Sequence, residues 1–374
     1  MTEKRIPLLQ LLTVTLFIGL LLSFALFYLI HTALGYDNDQ TPYCMDGTVI
    51  PDGELFSELD RAVYQNTDLQ SSIRNKQFLL FGAIAHQSVI GGDNNFLFEI
   101  ETEDGRYNYL EDYLGLCSFT DAEYAAIAAL LQRRVDYYAE NGAKYLLVVL
   151  PNSQTVYGEN LPSYLGTGGT TRLEGLTLYL QQNGFVNYLD LSEALTSYKS
   201  QGPLYNNTEN SLNSLGIYYA YLSVCNYLRS DLSQSTYVLP RASLSFYQHM
   251  TTGKAAARRA GLSDVVDNLT VSLSNNMLRN YDTVFSQGNA AQTCLTGEDL
   301  PLGISLTPSL LLQFSDTWER LQAEPFFSNS FQKVTYQTNW VSDASVFEQA
   351  QPDVVVQFLY EYQLSWLLPL TFPS

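Results

Sequence analysis

The sequence is poor in the side chains on which several common chemistries depend. It has three histidines and four cysteines among 374 residues, and Cys44, Cys117, Cys225 and Cys294 are widely spaced without a CxxC or Cys/His pattern. This spacing indicates no metal site, and nothing in the sequence indicates a cofactor. The cysteines leave two alternatives open, which are two disulfides in any of three pairings or four buried thiols.

Basic residues are also scarce. Nineteen Lys and Arg stand against 38 Asp and Glu, so the formal net charge is −19 at pH 7. A surface this acidic repels phosphate backbones, which excludes nucleic acid as a partner. The chain is nevertheless 46% hydrophobic and 13% aromatic, a composition that excludes a disordered protein and supports a sizeable core.

One long segment lacks charge of either sign. Residues 6–35 contain no Asp, Glu, Lys or Arg, and cations precede the segment while aspartates follow it. A helix of roughly 20 apolar residues spans a bilayer, and the flanking charges predict a cytoplasmic N-terminus at residues 1–5. The alternative is a cleaved signal peptide with Ala33 and Gly35 near the cleavage site, although signal cores are usually ~7–15 residues long.

The expected domain organisation follows from this anchor. Residues 36–68 are acidic and contain Gly and Pro, which predicts an irregular stalk. Residues 69–374 are predicted to form one domain outside the cytoplasm, in which 230–300 lack clear periodicity and are predicted to be a loop-rich insertion.

A helix followed by a buried strand is the clearest local pattern. Thr120 and Glu123 form a capping box, apolar residues then recur at intervals of three and four, and Gly142 follows at a typical C-terminal position. The apolar run Tyr145–Leu150 is typical of a strand buried on both faces. This succession indicates an α/β domain.

The alternation of helices and strands continues along the chain and predicts a mostly parallel sheet covered on both faces. A hairpin is predicted within Val89–Phe98. The further predicted helices are Arg172–Gln182, Leu212–Leu228 and Leu310–Gln322, and the further predicted strands are Gly184–Leu191, Leu302–Ser305, Lys333–Gln337 and Pro352–Leu359.

Ligands of open α/β sheets bind beyond the carboxyl ends of the strands. Asn152, Asp190 and Ser305 occupy such ends in the predicted layout. Ser305 would precede a helix whose N-terminus is marked by Thr307 and Pro308, a place where backbone N–H groups can hold an oxyanion. Ser305 is therefore a candidate nucleophile, and the alternative is that it only helps to cap this helix.

Several ordered blocks resemble the SGNH-hydrolase-like proteins of the alginate O-acetylation (AlgX/AlgJ-like) type and the DHHW proteins. The resemblance extends over about residues 74–361. The blocks are Val89–Phe98, Pro151–Pro162, Leu204–Gly216, Leu302–Leu306 and Pro352–Val355 with Glu361.

This resemblance implies an SGNH-like α/β/α sandwich and a Ser-His-Asp triad that transfers or removes acetyl groups on extracytoplasmic polysaccharides. Position by position, Ser305 stands at the nucleophile, Glu209 at the aspartate and Ser211 at the histidine. The residues expected to contribute to binding in this site are Asn152, Asn210, Asn213 and Gly303.

The base of the implied triad is missing. A hydroxyl or an amide is not basic near neutral pH, so neither Ser211 nor Asn210 can accept the proton of a nucleophilic serine. Of the three histidines, His31 lies in the predicted anchor and His86 precedes the first hairpin, which leaves His249 as a substitute base. The sequence therefore predicts a degenerate site.

The expected function is a binding or scaffolding role beside a membrane O-acyltransferase in the O-acetylation of a cell-surface polysaccharide. The alternatives are an active O-acetyltransferase or acetylesterase that uses Ser305 with a non-standard base, and a structural or sensory surface protein. The acidic charge favours a neutral glycan or a protein partner, unless Arg258 and Arg259 receive an anion. The 27 tyrosines can stack on sugars or simply pack the core.

Overall fold

A seven-stranded sheet organises the part of the chain that the computed structural model describes. The described residues are 88–368, apart from 167, 265, 275–281, 288–289, 296–301, 316 and 339–343. Their strands are β1 Val89–Gly91, β2 Leu97–Glu99, β3 Lys144–Leu150, β4 Tyr188–Asp190, β5 Ser245–Thr252, β6 Asp267–Ser274, β7 Asp282–Gln287, β8 Ala290–Cys294, β9 Leu310–Gln313, β10 Lys333–Gln337 and β11 Val354–Tyr360.

Helices alternate with these strands along the chain. The described helices are α1 Tyr109–Tyr113, α2 Asp121–Glu140, α3 Ser153–Val156, α4 Arg172–Gln182, α5 Ser192–Tyr198, α6 Ser214–Ser230, α7 Ala255–Arg259, α8 Leu302–Ser305, α9 Thr317–Ser328 and α10 Ala344–Ala350. A 3₁₀ segment, Glu361–Leu367, follows β11 directly.

The strand order confirms the predicted mostly parallel sheet. It runs β4-β3-β11-β9-β10-β8-β7, and the neighbours from β4 to β10 are parallel. At one side of the sheet, β8 pairs with both β10 and β7 in antiparallel fashion. Two separate hairpins, β1–β2 and β5–β6, lie outside this sheet. The first of them confirms the predicted hairpin.

Apolar side chains pack on both faces of the sheet. Along β3, Leu146 and Val148 belong to one hydrophobic cluster, whereas Leu147 and Val149 belong to another. The first cluster includes the tyrosine-rich face of α6, and the second includes residues of α2 and α4. Since side chains alternate across a strand, these two clusters are the two sides of an α/β/α arrangement.

The predicted helix before β3 is confirmed in detail. The Thr120 hydroxyl accepts the Glu123 N–H, and the Glu123 carboxylate accepts the Thr120 N–H, so both halves of the capping box form. After the helix, Gly142 has a φ of 81°, the left-handed conformation in which a side chain would be strained. Six of the seven residues of β3 are buried, as its apolar run predicted.

Three glutamines form a polar row across the centre of the sheet. Gln357 of β11 is in register with Gln313 of β9, which is in register with Gln337 of β10. All three are buried, and the Gln313 amide donates to Gln337 Oε1 at 3.0 Å. Gln357 Oε1 accepts hydrogen bonds from Arg134 and Tyr145 at 2.5 and 2.6 Å.

The predictions for the segment before β10 are wrong. Leu302–Ser305 is helical, the strand β9 begins at Leu310, and the helix begins only at Thr317. The Thr307-Pro308 pair suggested a helix start, but β10 and β11 pair with both edges of Leu310–Gln313. Burial between these two strands overrides the local preference.

The segment 230–300 is more regular than predicted. It contains the β5–β6 hairpin and the strands β7 and β8, which extend the sheet. Most side chains of β5 are exposed or half-buried, so this strand carries little of the hydrophobic pattern on which the prediction depended.

Several expectations concern residues outside the described ranges. The predicted anchor, stalk, His86 and Cys44 all precede residue 88. Among the described residues, no helix combines the length and the apolar composition that a membrane span needs. The described cysteines, Cys117, Cys225 and Cys294, are thiols.

Candidate functional site

A cavity of about 530 Å³ lies where β11 ends. Tyr360, the last residue of β11, contributes to its wall, and the carboxyl ends of parallel strands form the usual ligand-binding edge of such a sheet. The described lining residues are Glu99, Thr102, Glu103, Asp104, Arg106, Tyr107, Tyr109, Glu209, Asn210, Ser211, Ala255, Tyr360, Tyr362, Ser365 and Trp366.

The loop before α6 supplies three of the predicted site residues. A β-bridge between Tyr205 and Leu212 closes this loop, so that Glu209, Asn210 and Ser211 line the cavity together. These three predicted residues therefore lie at one cavity.

Asn206, within this loop, forms hydrogen bonds with two of the residues that line the cavity. Its side-chain N–H₂ donates to Ser211 Oγ at 3.0 Å and to Glu209 Oε2 at 3.3 Å. The Ser211 hydroxyl oxygen therefore accepts a hydrogen bond from Asn206. Ser211 stands at the position where the families that the sequence resembles are expected to have the histidine base.

Asn152 connects the end of β3 with this loop. Its side-chain amide donates to the Tyr107 hydroxyl at 3.1 Å, and its Oδ1 accepts from Asn210 at 3.3 Å. Asn210 Oδ1 in turn accepts the Ser153 N–H at 2.6 Å. The structure thus brings the predicted residues Asn152 and Asn210 together, with Asn152 buried behind the cavity wall.

A buried carboxyl group lies beneath these amides. Glu361 Oε2 accepts the Asn152 N–H at 2.8 Å and the Thr155 hydroxyl at 2.6 Å, while Oε1 has no partner among the described residues. Burial, with a smaller contribution from nearby Asp112, raises the pKa of Glu361 to about 8. The carboxyl group is therefore largely protonated near pH 7.

Asp112 has a similar environment. It accepts hydrogen bonds from the Tyr107 hydroxyl and from the Arg172 N–H. Burial raises the pKa of Asp112 despite these donors, and burial raises the pKa of Tyr107 as well. Together with Glu361 these groups form a polar core under the cavity.

Aromatic rings form one wall of the cavity. The ring centroids of Tyr109 and Tyr362 are 5.6 Å apart, those of Tyr107 and Tyr109 are 5.1 Å apart, and those of Tyr360 and Tyr362 are 5.5 Å apart. Trp366 lies at the same wall with 41% of its surface exposed. The described cavity lining thus includes four tyrosines and one tryptophan.

Carboxylates occupy much of the remaining lining. Glu99 is paired with Arg259 of α7 at 3.1 Å, and both side chains are largely buried. Burial raises the pKa of Glu99, and the hydrogen bond and charge of Arg259 oppose that rise. Arg259 is therefore already paired with a carboxylate, whereas Arg258 is exposed.

Ser305 does not lie at this edge of the sheet. It precedes β9, and Ser309, at the start of that strand, is hydrogen-bonded to Asp353, which precedes β11. Tyr360 ends the seven residues of β11, a length of roughly 20 Å. The prediction that Ser305 follows a strand is wrong, because Ser305 ends the helix α8 and the strand β9 begins only at Leu310.

Ser315 has the position that was predicted for Ser305. It follows the end of β9 by two residues, is half-buried and precedes the 12-residue helix α9. The signal was the apolar run Leu310–Leu312, which is typical of a buried strand. The Thr307-Pro308 pair, which is typical of a helix start, led to the prediction of a helix for this run.

The remaining predicted residues lie away from the cavity lining. His249 is on β5, where its ring stacks on Tyr247 at 5.0 Å. Asn213 caps α6 by accepting the N–H groups of two residues in its first turn. Gly303 is an exposed residue of α8, and Asp190 accepts hydrogen bonds from Ser192 and Thr177.

The sequence did not single out the aromatic wall. Tyr107, Tyr109 and Trp366 come from segments that carry no motif. Glu361, by contrast, belongs to a block of the resemblance. The spacing of tyrosines offered no signal, since eleven tyrosines are buried in the clusters on either side of the sheet.

Solved structures provide the comparison with known proteins, since no family model matches the chain and no curated protein does. Bacillus cereus PatB1 has a TM-score of 0.52 at 11% identity, over 74% of this chain and 96% of its own. The O-acetyltransferase domain of Pseudomonas putida AlgJ has a TM-score of 0.43 at 15% identity, over 76% and 95% of the two chains. A DHHW family protein from Eubacterium siraeum has a TM-score of 0.45 at 13% identity, over 74% and 94%.

These similarities concern the fold. The likeness to PatB1 shows that the described sheet and helices have the same α/β fold. The AlgJ domain and the DHHW family protein are similar structures as well, and the assignment of the fold rests on the likeness to PatB1 alone.

Proposed function

We propose that this chain is an SGNH-like protein that binds a cell-surface polysaccharide during its O-acetylation and does not itself catalyse acetyl transfer. The observation that carries this proposal is the cavity at the carboxyl edge of the sheet. It has an aromatic wall, and none of its described lining residues is a histidine.

The chemistry of the loop before α6 supports a binding role. A serine nucleophile needs a base near neutral pH, and Ser211 has only a hydroxyl oxygen that already accepts from Asn206. His249 is the only histidine among the described residues, and it is on the separate β5–β6 hairpin. Glu209 is the carboxylate of this loop. It lines the cavity and accepts a hydrogen bond from the Asn206 amide.

The aromatic wall supports a carbohydrate as the ligand. Sugar rings present C–H groups that pack on flat aromatic faces, and their hydroxyls pair with amides and carboxylates. Tyr362 and Trp366 offer the faces, while Asn210 and Glu209 offer the polar groups at the same cavity.

The setting of this role follows from the sequence. The uncharged segment at residues 6–35 would anchor the chain in the membrane, with the described domain outside the cytoplasm. A membrane O-acyltransferase is then the partner that would modify the bound polysaccharide. The resemblance to the alginate-acetylation proteins motivates this partner.

Acyl transfer through Ser315 is the second candidate function. Ser315 lies between the end of β9 and the start of α9, where N–H groups of a helix can stabilise an oxyanion. Ser305 does not lie between a strand end and a helix start, because it precedes β9. Because the described cavity lining contains no histidine, this alternative requires a carboxylate such as Glu209 as the base.

Binding can be measured by titration calorimetry on the full-length chain in mild detergent, with hexamers of N-acetylglucosamine and of glucosamine. We expect micromolar to millimolar binding by wild type to at least one hexamer and loss of it in Tyr362→Ala. Tyr164→Ala, which removes a ring that is 78% exposed and outside the cavity lining, is the matched control. Absence of binding to both hexamers contradicts the proposed role.

Catalysis can be tested with a fluorophosphonate probe and p-nitrophenyl acetate. We expect no labelling and no hydrolysis above that of Ser315→Ala. Labelling that disappears in Ser315→Ala would establish the acyl-transfer alternative, and labelling that disappears in Ser305→Ala would show that the geometric argument against Ser305 is wrong.

A further inference from the structure

The charges around the cavity are strongly unbalanced. Four carboxylates, Glu99, Glu103, Asp104 and Glu209, line it, whereas its described lining contains one cation, Arg106. Counting Arg259, which stands behind Glu99, still leaves an excess of negative charge.

Two of these carboxylates lack a cation. Glu99 is paired with Arg259 at 3.1 Å, and Asp104 is paired with Arg106 at 3.5 Å. Glu103 and Glu209 have no ion pair among the described residues. They come from two separate segments, the chain after β2 and the loop before α6, so the cavity is negative on more than one side.

A buried acceptor without a donor lies next to one of them. Asn206 is 4% exposed, its side-chain nitrogen donates to Glu209 and Ser211, and its Oδ1 has no partner among the described residues. Asn206 is not among the described lining residues, and its amide hydrogen-bonds to Glu209 without neutralising the charge of that carboxylate.

The aromatic wall has the same electrostatic preference. The faces of Tyr and Trp rings are negative and attract an ammonium group within about 6 Å of the ring centre. Tyr362 and the half-exposed Trp366 therefore favour a cation as well as a sugar face. The ammonium groups of a basic peptide would also be attracted to the carboxylates and the rings, but a sugar that carries an amino group adds C–H faces that pack on the rings.

We infer that the cavity is selective for a glycan with protonated amino groups, that is, a partly or fully N-deacetylated amino-sugar polymer, with Glu103 and Glu209 as the residues that recognise the ammonium groups. This inference rests on the proposed glycan-binding function and goes beyond the neutral glycan that the composition suggests. It assigns polar recognition to a pair of carboxylates and stacking to Tyr362 and Trp366.

The test compares hexamers of equal length by titration calorimetry on the full-length chain at low salt. The probes are hexamers of glucosamine, N-acetylglucosamine and galacturonate, with a lysine pentapeptide as the basic-peptide arm. We expect the glucosamine hexamer to bind about tenfold more tightly than the N-acetylated hexamer, since two partly exposed ion pairs contribute modestly each. The galacturonate hexamer should not bind.

Variants then assign the preference to the two carboxylates. The double variant Glu103→Gln/Glu209→Gln should lose the tenfold preference, because its affinity for the glucosamine hexamer should fall much more than its affinity for the N-acetylated hexamer. Glu140→Gln, a change at an exposed carboxylate at the end of α2, is the matched control and should keep the preference. Raising the ionic strength to about 0.3 M should shrink the preference in wild type, because screening acts on ion pairs.

The outcomes separate this inference from the function on which it rests. Equal affinity for the two hexamers, with loss of binding in Tyr362→Ala, would overturn the inference and leave glycan binding intact. A preference that survives in the double variant, or a lysine pentapeptide that binds as tightly as the glucosamine hexamer, would also overturn it. Absence of binding to every hexamer would contradict the proposed function itself.

Discussion

Replacing Glu361 with glutamine removes a carboxyl group that is fully buried at the end of β11. The glutamine keeps an oxygen that can accept from the Asn152 N–H and the Thr155 hydroxyl, as Glu361 Oε2 does. It also places a neutral group where Oε1 has no partner among the described residues. The variant therefore mimics the protonated form of Glu361 at every pH.

The magnitude follows from the shift in pKa. Burial raises the pKa of Glu361 from an ordinary value of 4.5 to about 8 in the folded protein. Because the folded value is the higher one, its stabilising contribution is fully present below pH 4.5 and is lost as the pH rises through about 8. Each pH unit between the two values corresponds to about 1.36 kcal/mol, so the loss amounts to at most roughly 5 kcal/mol.

The assay is urea unfolding of the full-length chain followed by tryptophan fluorescence at several pH values between 4.5 and 8.5. We expect wild type and Glu361→Gln to have similar free energies of unfolding at the acidic end. At the alkaline end the variant should be more stable by several kcal/mol. Some pH dependence will remain in the variant, since burial also raises the pKa of Asp112 and Asp190.

Asp104→Asn is the control for this experiment. Hydrogen bonds to this exposed carboxylate lower its pKa, so its titration lies below the range that is measured. Its variant should reproduce the pH dependence of wild type. If Glu361→Gln also does so, Glu361 is ionised in the folded protein, and the account of the polar core beneath the cavity is wrong.

Two further predictions concern stability. Arg259→Ala leaves Glu99 buried without its cation and should lower the free energy of unfolding by about 3 kcal/mol in urea titrations, whereas Arg258→Ala at the exposed neighbouring position should change it by less than about 0.5 kcal/mol. Equal effects of the two arginine variants would show that the buried ion pair is not specifically stabilising. Thr120→Ala removes one half of the capping box of α2 and should cost about 1 kcal/mol in the same assay, while Thr120→Ser should restore most of it; a serine variant as unstable as the alanine variant would contradict the capping role.

The elements that the sequence predicts best are those whose local and tertiary preferences agree. Thr120, Glu123 and Gly142 bound α2 as predicted, because capping and left-handed termination are properties of a few adjacent residues. The run Tyr145–Leu150 lies at an inner position of the sheet, where its apolar side chains are buried on both faces.

The failures arise where two signals compete. Thr307 and Pro308 have the sequence of a helix start, but the three leucines that follow them pair on both sides within the sheet. Pairing between strands that are distant along the chain decided the structure, and no local pattern reports it. The misplacement of Ser305 followed from this error, and Ser315 was overlooked for the same reason.

The candidate site was predictable in part. The ordered blocks led to Glu209, Asn210 and Ser211, which line one cavity, and to Asn152, which contacts Asn210. The aromatic wall and the carboxylates from the chain after β2 came from segments without a motif. Only the folded arrangement shows that these residues share a cavity with the loop before α6.

The row of buried glutamines has a consequence for how the sheet assembles. Side chains alternate across a strand, so a slip of one residue in β9 would turn Gln313 from its partner Gln337 toward the layer of leucine, tyrosine and phenylalanine rings on the opposite face. A buried amide without a partner costs about 1–3 kcal/mol, which makes the misaligned pairing unfavourable from the start. The polar row thus favours the observed register of β11, β9 and β10. This register places Tyr360 and Ser315 at the same edge of the sheet.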